Sequence, residues 1–150
     1  MPSVRTAVVE QIITRLADRL GESVKIDPGL PGKTIHREHV FVPVVTGTRS
    51  FPYSKGSDGH FDIDDEFTVT FVFSVAWKGR TSFEAGARVE ELSDALLEVL
   101  ATDPGLADDI PELIDIKPGT FDGPELENTN EGVIAFIRAD VEVHARYVTP

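Results

Sequence analysis

The chain has 150 residues, with 26 Asp/Glu against 14 Lys/Arg, a formal net charge of −12 and no cysteine. That length predicts one domain over residues 1–150 with a real core. The missing cysteines exclude disulfide frameworks, thiolate zinc sites and cysteine nucleophiles, and the acidity argues against holding nucleic acid by phosphate neutralisation.

The charge is unevenly placed. Residues 1–57 carry eight Lys/Arg against five Asp/Glu, residues 58–100 three against ten, and residues 101–132 one against nine. Residues 133–150 balance. Such acidity serves solubility in most chains. Its segregation also suits self-association, a basic surface of one copy meeting an acidic surface of the next. No apolar run approaches the roughly 20 residues that span a bilayer. The opening MPSVRTAVVEQ is amphipathic and carries Glu10, unlike a signal peptide. A cytosolic or virion protein is the expectation.

Residues 3–20 read as a helix. Val4, Val8, Val9, Ile12, Leu16 and Leu20 recur at three- and four-residue steps, Ser3 suits the N-cap and Gly21 the position after the last turn. Residues 24–26 suit a short extended piece, closed by the loop DPGLPG. Residues 39–46, HVFVPVVT, read as a strand. Pro43 has no N–H for a ladder, so this strand is expected at an edge or with a bulge there. Residues 47–61 then form a long connection, and Arg49, Phe51, Tyr53 and Lys55 make it a candidate partner contact. A solvated hairpin tip is the plain alternative.

The stretch EFTVTFVFSVAW, residues 66–77, alternates. Phe67, Val69, Phe71, Phe73, Val75 and Trp77 share one face of a strand expected over 63–78. TSFE, residues 81–84, matches a capping box that opens a helix to about residue 101. Residues 102–132 read as acidic and loop-rich, with a short strand over 113–117 stopped by Pro118-Gly119. Residues 133–147 form the closing strand. Val133 through Tyr147 fill its apolar parity, and Arg138, Asp140 and Glu142 stand on its charged parity. A straight strand of that length spans about 50 Å. A domain of this size is about 40 Å across. The strand is therefore expected to bend, bulge or protrude, and protrusion would expose backbone that another chain could pair with.

Two amphipathic helices covering one sheet face make an α+β two-layer domain, with a mostly antiparallel or mixed sheet of about four strands. Motifs for chemistry are weak. His36 and His39 have H-x-x-H spacing without further ligands, which suits an ordinary polar strand start better than a metal site. DGHFDIDDE, residues 58–66, lacks the calcium-loop offsets. Asp62 and Asp64 would project from one side of a strand start, which suits an acidic, solvated hairpin base or a partner contact better than adventitious cation binding. No nucleophile elbow, Walker loop or dinucleotide glycine motif is present. The expectation is no enzyme, no metal and no cofactor.

In organisation the chain resembles the tail terminator, or tail completion, proteins of long-tailed bacteriophages. The resemblance runs through VRTAVVEQIITRLADRL, a hairpin with a long variable loop, EFTVTFVFSVAW, SFEAGARVEELSDALLEVLATDP, ELIDIKPGTFDGPE and GVIAFIRADVEVHARY. It is one of layout rather than of a signature motif, and the acidic 101–132 segment departs from it. The resemblance implies a subunit of a ring, usually a hexamer, that sits on the last ring of the tail tube and ends its growth. Its implied partners are further copies of itself, the tail tube protein and the head–tail connector, with DNA passing through without specific binding and no membrane contact. The implied location is the virion tail or neck, with host cytoplasm during assembly. Another neck or tube subunit is the nearest alternative. A small-ligand binding α+β domain is more remote.

Overall fold

The structure is a computed structural model that describes residues 3–32, 37–52, 60–102 and 105–148. Its elements are α1 (Val4–Leu20), β1 (Lys25–Asp27), β2 (Glu38–Ser50), β3 (Asp62–Trp77), α2 (Ser82–Thr102), α3 (Gly105–Asp109), β4 (Leu113–Thr129) and β5 (Gly132–Val148). The strands form one sheet in the order β1-β2-β3-β5-β4, with β1 parallel to β2 and every other pair antiparallel. The class is α+β, as the alternating and helical periodicities imply. The sheet has five strands rather than about four, because the short piece after α1 pairs with β2.

The caps form as their residue types dictate. Ser3 accepts a hydrogen bond from the Thr6 backbone N–H at 3.1 Å, and Gly21 leaves α1 at φ 78°. At the start of α2 the Glu84 N–H donates to the Thr81 hydroxyl oxygen at 3.2 Å. Both helices lie on one sheet face. Val8, Ile12 and Leu16 from α1 and Val89, Leu92 and Leu96 from α2 meet Phe67, Val69, Phe71, Phe73 and Val75 of β3 and the apolar parity of β5 in one core. Burying each of these larger side chains contributes roughly 1.5–3 kcal/mol. Leu106 of α3 and Ile110 just after it join the same core.

β3 and β5 pair without a break from Asp62↔Val148 to Trp77↔Val133. The long closing strand thus neither bulges nor stands alone, because β3 matches its length. These strands extend for about 55 Å, whereas the 21 residues of α2 reach about 31 Å. The helices therefore cover only part of the sheet. Pro43 sits in a register shift between Phe41 and Val44, just beyond the point where β1 ends opposite Phe41. The bulge expected there is present.

Two sequence expectations are corrected. Residues 47–50 belong to β2, so the connection is shorter than 47–61 and Arg49 is a strand residue. Residues 113–129 are one strand, not a short strand followed by loop. The outward edge of β5 carries backbone donors and acceptors that need partners, and β4 supplies them. Pro118 and Pro124 have no N–H to give, and the ladder shifts register between Pro118 and Phe121 and again between Asp122 and Glu125.

Candidate interaction surfaces

The surfaces follow from the strand order. The net-positive N-terminal half builds one edge, β1–β2. The acidic segment builds the opposite edge, β4. Lys25, Arg37 and Arg49 are exposed on or beside the first, and Asp115, Asp122, Glu125 and Glu127 on the second. The β4 edge is acidic, whereas on the β1–β2 edge Lys25 stands 3.9 Å from Asp27 and Arg49 3.5 Å from Asp65, so the charge there is mixed.

At the outer end of β3 a buried cluster ties these strands to α1. Asp65 is fully buried and accepts from Arg5 Nε at 3.0 Å and Nη2 at 2.7 Å. The Tyr147 hydroxyl donates to it at 2.9 Å, and Arg49 Nε stands 3.5 Å away. Burial pushes the Asp65 carboxyl up, but the bonds from Arg5 and Tyr147 outweigh it, so the group sits below the ordinary carboxylate range. Burial and the anionic neighbour raise the Tyr147 phenol. Asp65 was not singled out from the sequence. Its signal was there: it has the parity of Phe67 and Val69, a charge on the core side of the strand.

Among the described residues, the other sheet face carries no helix. Here Asp64 accepts from His144 at 2.5 Å and from Arg146 at 3.3 Å, and these bonds, His144 foremost, lower its pKa. Thr70 donates to Asp140 at 2.8 Å, and Lys117 lies 3.8 Å from Glu142. Arg138 is exposed across the ladder from Val72 on one side and Asp122 on the other. A shallow groove on this face lies between Thr46, Thr48, Glu66, Thr68, Lys117 and Glu142. Five of the sequence candidates thus split by face: Asp64, Arg138, Asp140 and Glu142 share the open face, and Arg49 points to the helical side. Asp62 is exposed at the end of β3. Phe51 is exposed and meets Phe61 edge-on, with ring centroids 6.0 Å apart. Tyr53 and Lys55 lie outside the described residues.

A second helix-to-sheet tie, unlike the first, lacked a local sequence signal. Arg88 of α2 grips Glu38 of β2 through two bonds of 2.9 Å. The bonds to Glu38 chiefly raise the Arg88 pKa, so it stays charged.

The His39 ring donates from Nε2 to the Asp27 carboxylate at 2.6 Å, while His36 lies outside the described residues. Among the described residues no group of three or more His, Asp or Glu is placed to hold a metal, and no helix is long and apolar enough to cross a membrane.

No family model matches this chain, and no curated protein matches it. Among solved structures, a chain from the virion of a native gene transfer agent particle shares the fold. The TM-score is 0.52 at 10% identity, over 95% of this chain and 94% of that one. At that identity the similarity is one of fold, and it extends nearly end to end.

Proposed function

We propose that this chain is a structural subunit of a phage-like virion and, more finely, a tail terminator. Copies close into a ring, usually six in the family it resembles, that caps the tail tube and meets the head connector. The observation that carries the reading is the end-to-end fold shared with a virion chain. The strand order supports it, since ring closure needs different surfaces of identical copies to meet. The sheet offers two unlike edges for that purpose, the short β1 with mixed charge on one side and the long acidic β4 on the other. No catalytic group is required, because the product is geometry. An acidic wall would suit a conduit for DNA, since like charge keeps phosphates from sticking. The open sheet face, with Glu66, Asp140 and Glu142, is our candidate for that wall.

The test is light scattering and electron microscopy of the purified chain, alone and with tail tube protein. A single ring that seats on tube ends supports the terminator. Extended stacks of the chain alone would instead make it a tube subunit. A strict monomer under both conditions overturns the ring.

A further inference from the structure

Both outer edges of the sheet are only partly closed. β1 pairs with β2 at His39, Val40 and Phe41 and stops there. Beyond the Pro43 bulge, Val44–Ser50 pairs on one side alone, with β3. Among the described residues, no backbone bond outside the ladders reaches this stretch. Every second residue along it turns both its N–H and its C=O away from β3, and water or another strand has to satisfy them. At the other edge β4 pairs with β5 alone. Its stretch Ile114–Lys117 is free of proline, whereas Pro118 and Pro124 offer no donors further along.

The two open stretches match in direction and in level. β2, β3, β5 and β4 alternate in direction, so β2 of one copy set beside β4 of its neighbour in the same orientation runs antiparallel to it. The ladders also place Thr46, Thr68, Glu142 and Lys117 in one row, and Thr48, Glu66, His144 and Asp115 in another. Both open stretches therefore lie at the same end of the sheet. Thr46, Thr48, Asp115 and Lys117 are exposed on the helix-free face, while Val45 and Ile116 are half-buried on the helical face at the margins of the core. β1 stands one strand width further out than β2, so a neighbouring β4 has to swing clear of it. A bulge bends its strand, and β4 shifts register between Pro118 and Phe121, just above the row where β1 ends.

We infer that Val44–Ser50 of one copy pairs antiparallel with Ile114–Lys117 of the next, so that one sheet runs from copy to copy. The occupant is a second copy because this chain carries both open stretches, opposite in direction and at one level. Backbone bonds hold such a joint, with Val45 and Ile116 meeting across it on the helical side. This inference rests on the ring reading and names its joint.

The chain has no cysteine, so disulfides can be placed without interference. One full-length variant carries Thr48→Cys with Asp115→Cys. A second carries Thr46→Cys with Asp115→Cys, to allow for the stagger that a closed ring imposes. Facing residues of an antiparallel pair stand about 5 Å apart at Cβ, close enough for a disulfide to form. Within one copy the same positions are three strands apart, about 14 Å, and cannot bridge. Mild oxidation of at least one double variant should give a covalent ladder on a non-reducing gel, and each single variant should stay monomeric there. Covalent dimers from Thr48→Cys or Asp115→Cys alone would mean that like edges meet, and would overturn this joint. So would the absence of a ladder from both double variants under conditions where the wild type assembles by sedimentation. A wild-type chain that never assembles overturns the ring reading itself, and the joint with it.

Discussion

Asp65 and Arg5 form a two-bond ion pair whose carboxylate has no exposed surface, with nitrogen–oxygen distances of 2.7 and 3.0 Å. The pair joins the first turn of α1 to the outer part of β3. Arg49 and Tyr147 approach the same carboxylate from β2 and β5. One carboxylate thus orders four elements where the helical cover runs out.

Asp65→Asn keeps the shape and removes the charge. It leaves Arg5 and Arg49 without their anion. Losing one partner of a buried pair costs about 3–5 kcal/mol, and the lower end applies because Arg5 keeps some contact with water. Urea unfolding should show a loss of about 3 kcal/mol. A double substitution with Arg5→Ala should lose less than the two single losses together.

The same cluster sets a pH dependence. Asp65 and Asp64 both have folded pKa values below the ordinary carboxylate value. A depressed acid stabilises the fold above its unfolded pKa, about 3.9, and that contribution is lost as pH falls through the folded value. The urea midpoint should therefore fall below about pH 4. The decline should be shallower in Asp65→Asn, measured relative to its own value at pH 7. An equally steep acid limb in that variant would assign the loss to other groups.

Gly47 and Gly132 are the glycines that β3 leaves no room to change. A Cβ on Gly47 would overlap the Glu66 carbonyl oxygen and the Cα of Phe67. On Gly132, at φ 151°, it would overlap the Trp77 carbonyl oxygen. Alanine at either position should cost more than about 2 kcal/mol, the range of backbone strain and overpacking. Gly29, with open space where a Cβ would go, is the control and should tolerate alanine in a thermal melt.

Arg88→Lys tests whether fork geometry matters at the β2–α2 tie. Lysine retains the charge but cannot reproduce two parallel bonds to Glu38. A loss of about 1–2 kcal/mol is expected by chemical denaturation, with Arg88→Ala losing more. Thr81→Ala should cost about 1 kcal/mol through the N-cap of the same helix.

The helices, their caps and the two central strands were legible because their signals are local. Phe67 through Trp77 alternate without interruption, and Ser3 and Thr81 stand where caps are needed. β4 was legible only to residue 117. Its prolines and glycines read as breaks when viewed alone. The strand persists because the neighbouring edge of β5 supplies partners from elsewhere in the chain, and bulges absorb the residues that cannot donate. The surfaces divide in the same way. The acidity of residues 101–132 was visible, but its placement along one edge of the sheet required the order β1-β2-β3-β5-β4. Arg88 and Glu38, fifty positions apart, carry no pattern that would pair them before folding.

The unbroken register of β3 and β5 gives the molecule a mechanical direction. A pull between the start of β3 and the end of β5 acts at one end of the ladder, where Asp62 faces Val148, and peels the bonds one after another. A pull between the start of β3 and the start of β5 acts at opposite ends and loads all sixteen pairs in shear together. A subunit loaded along the second axis resists tension as a plank does, and along the first it opens as a zip does.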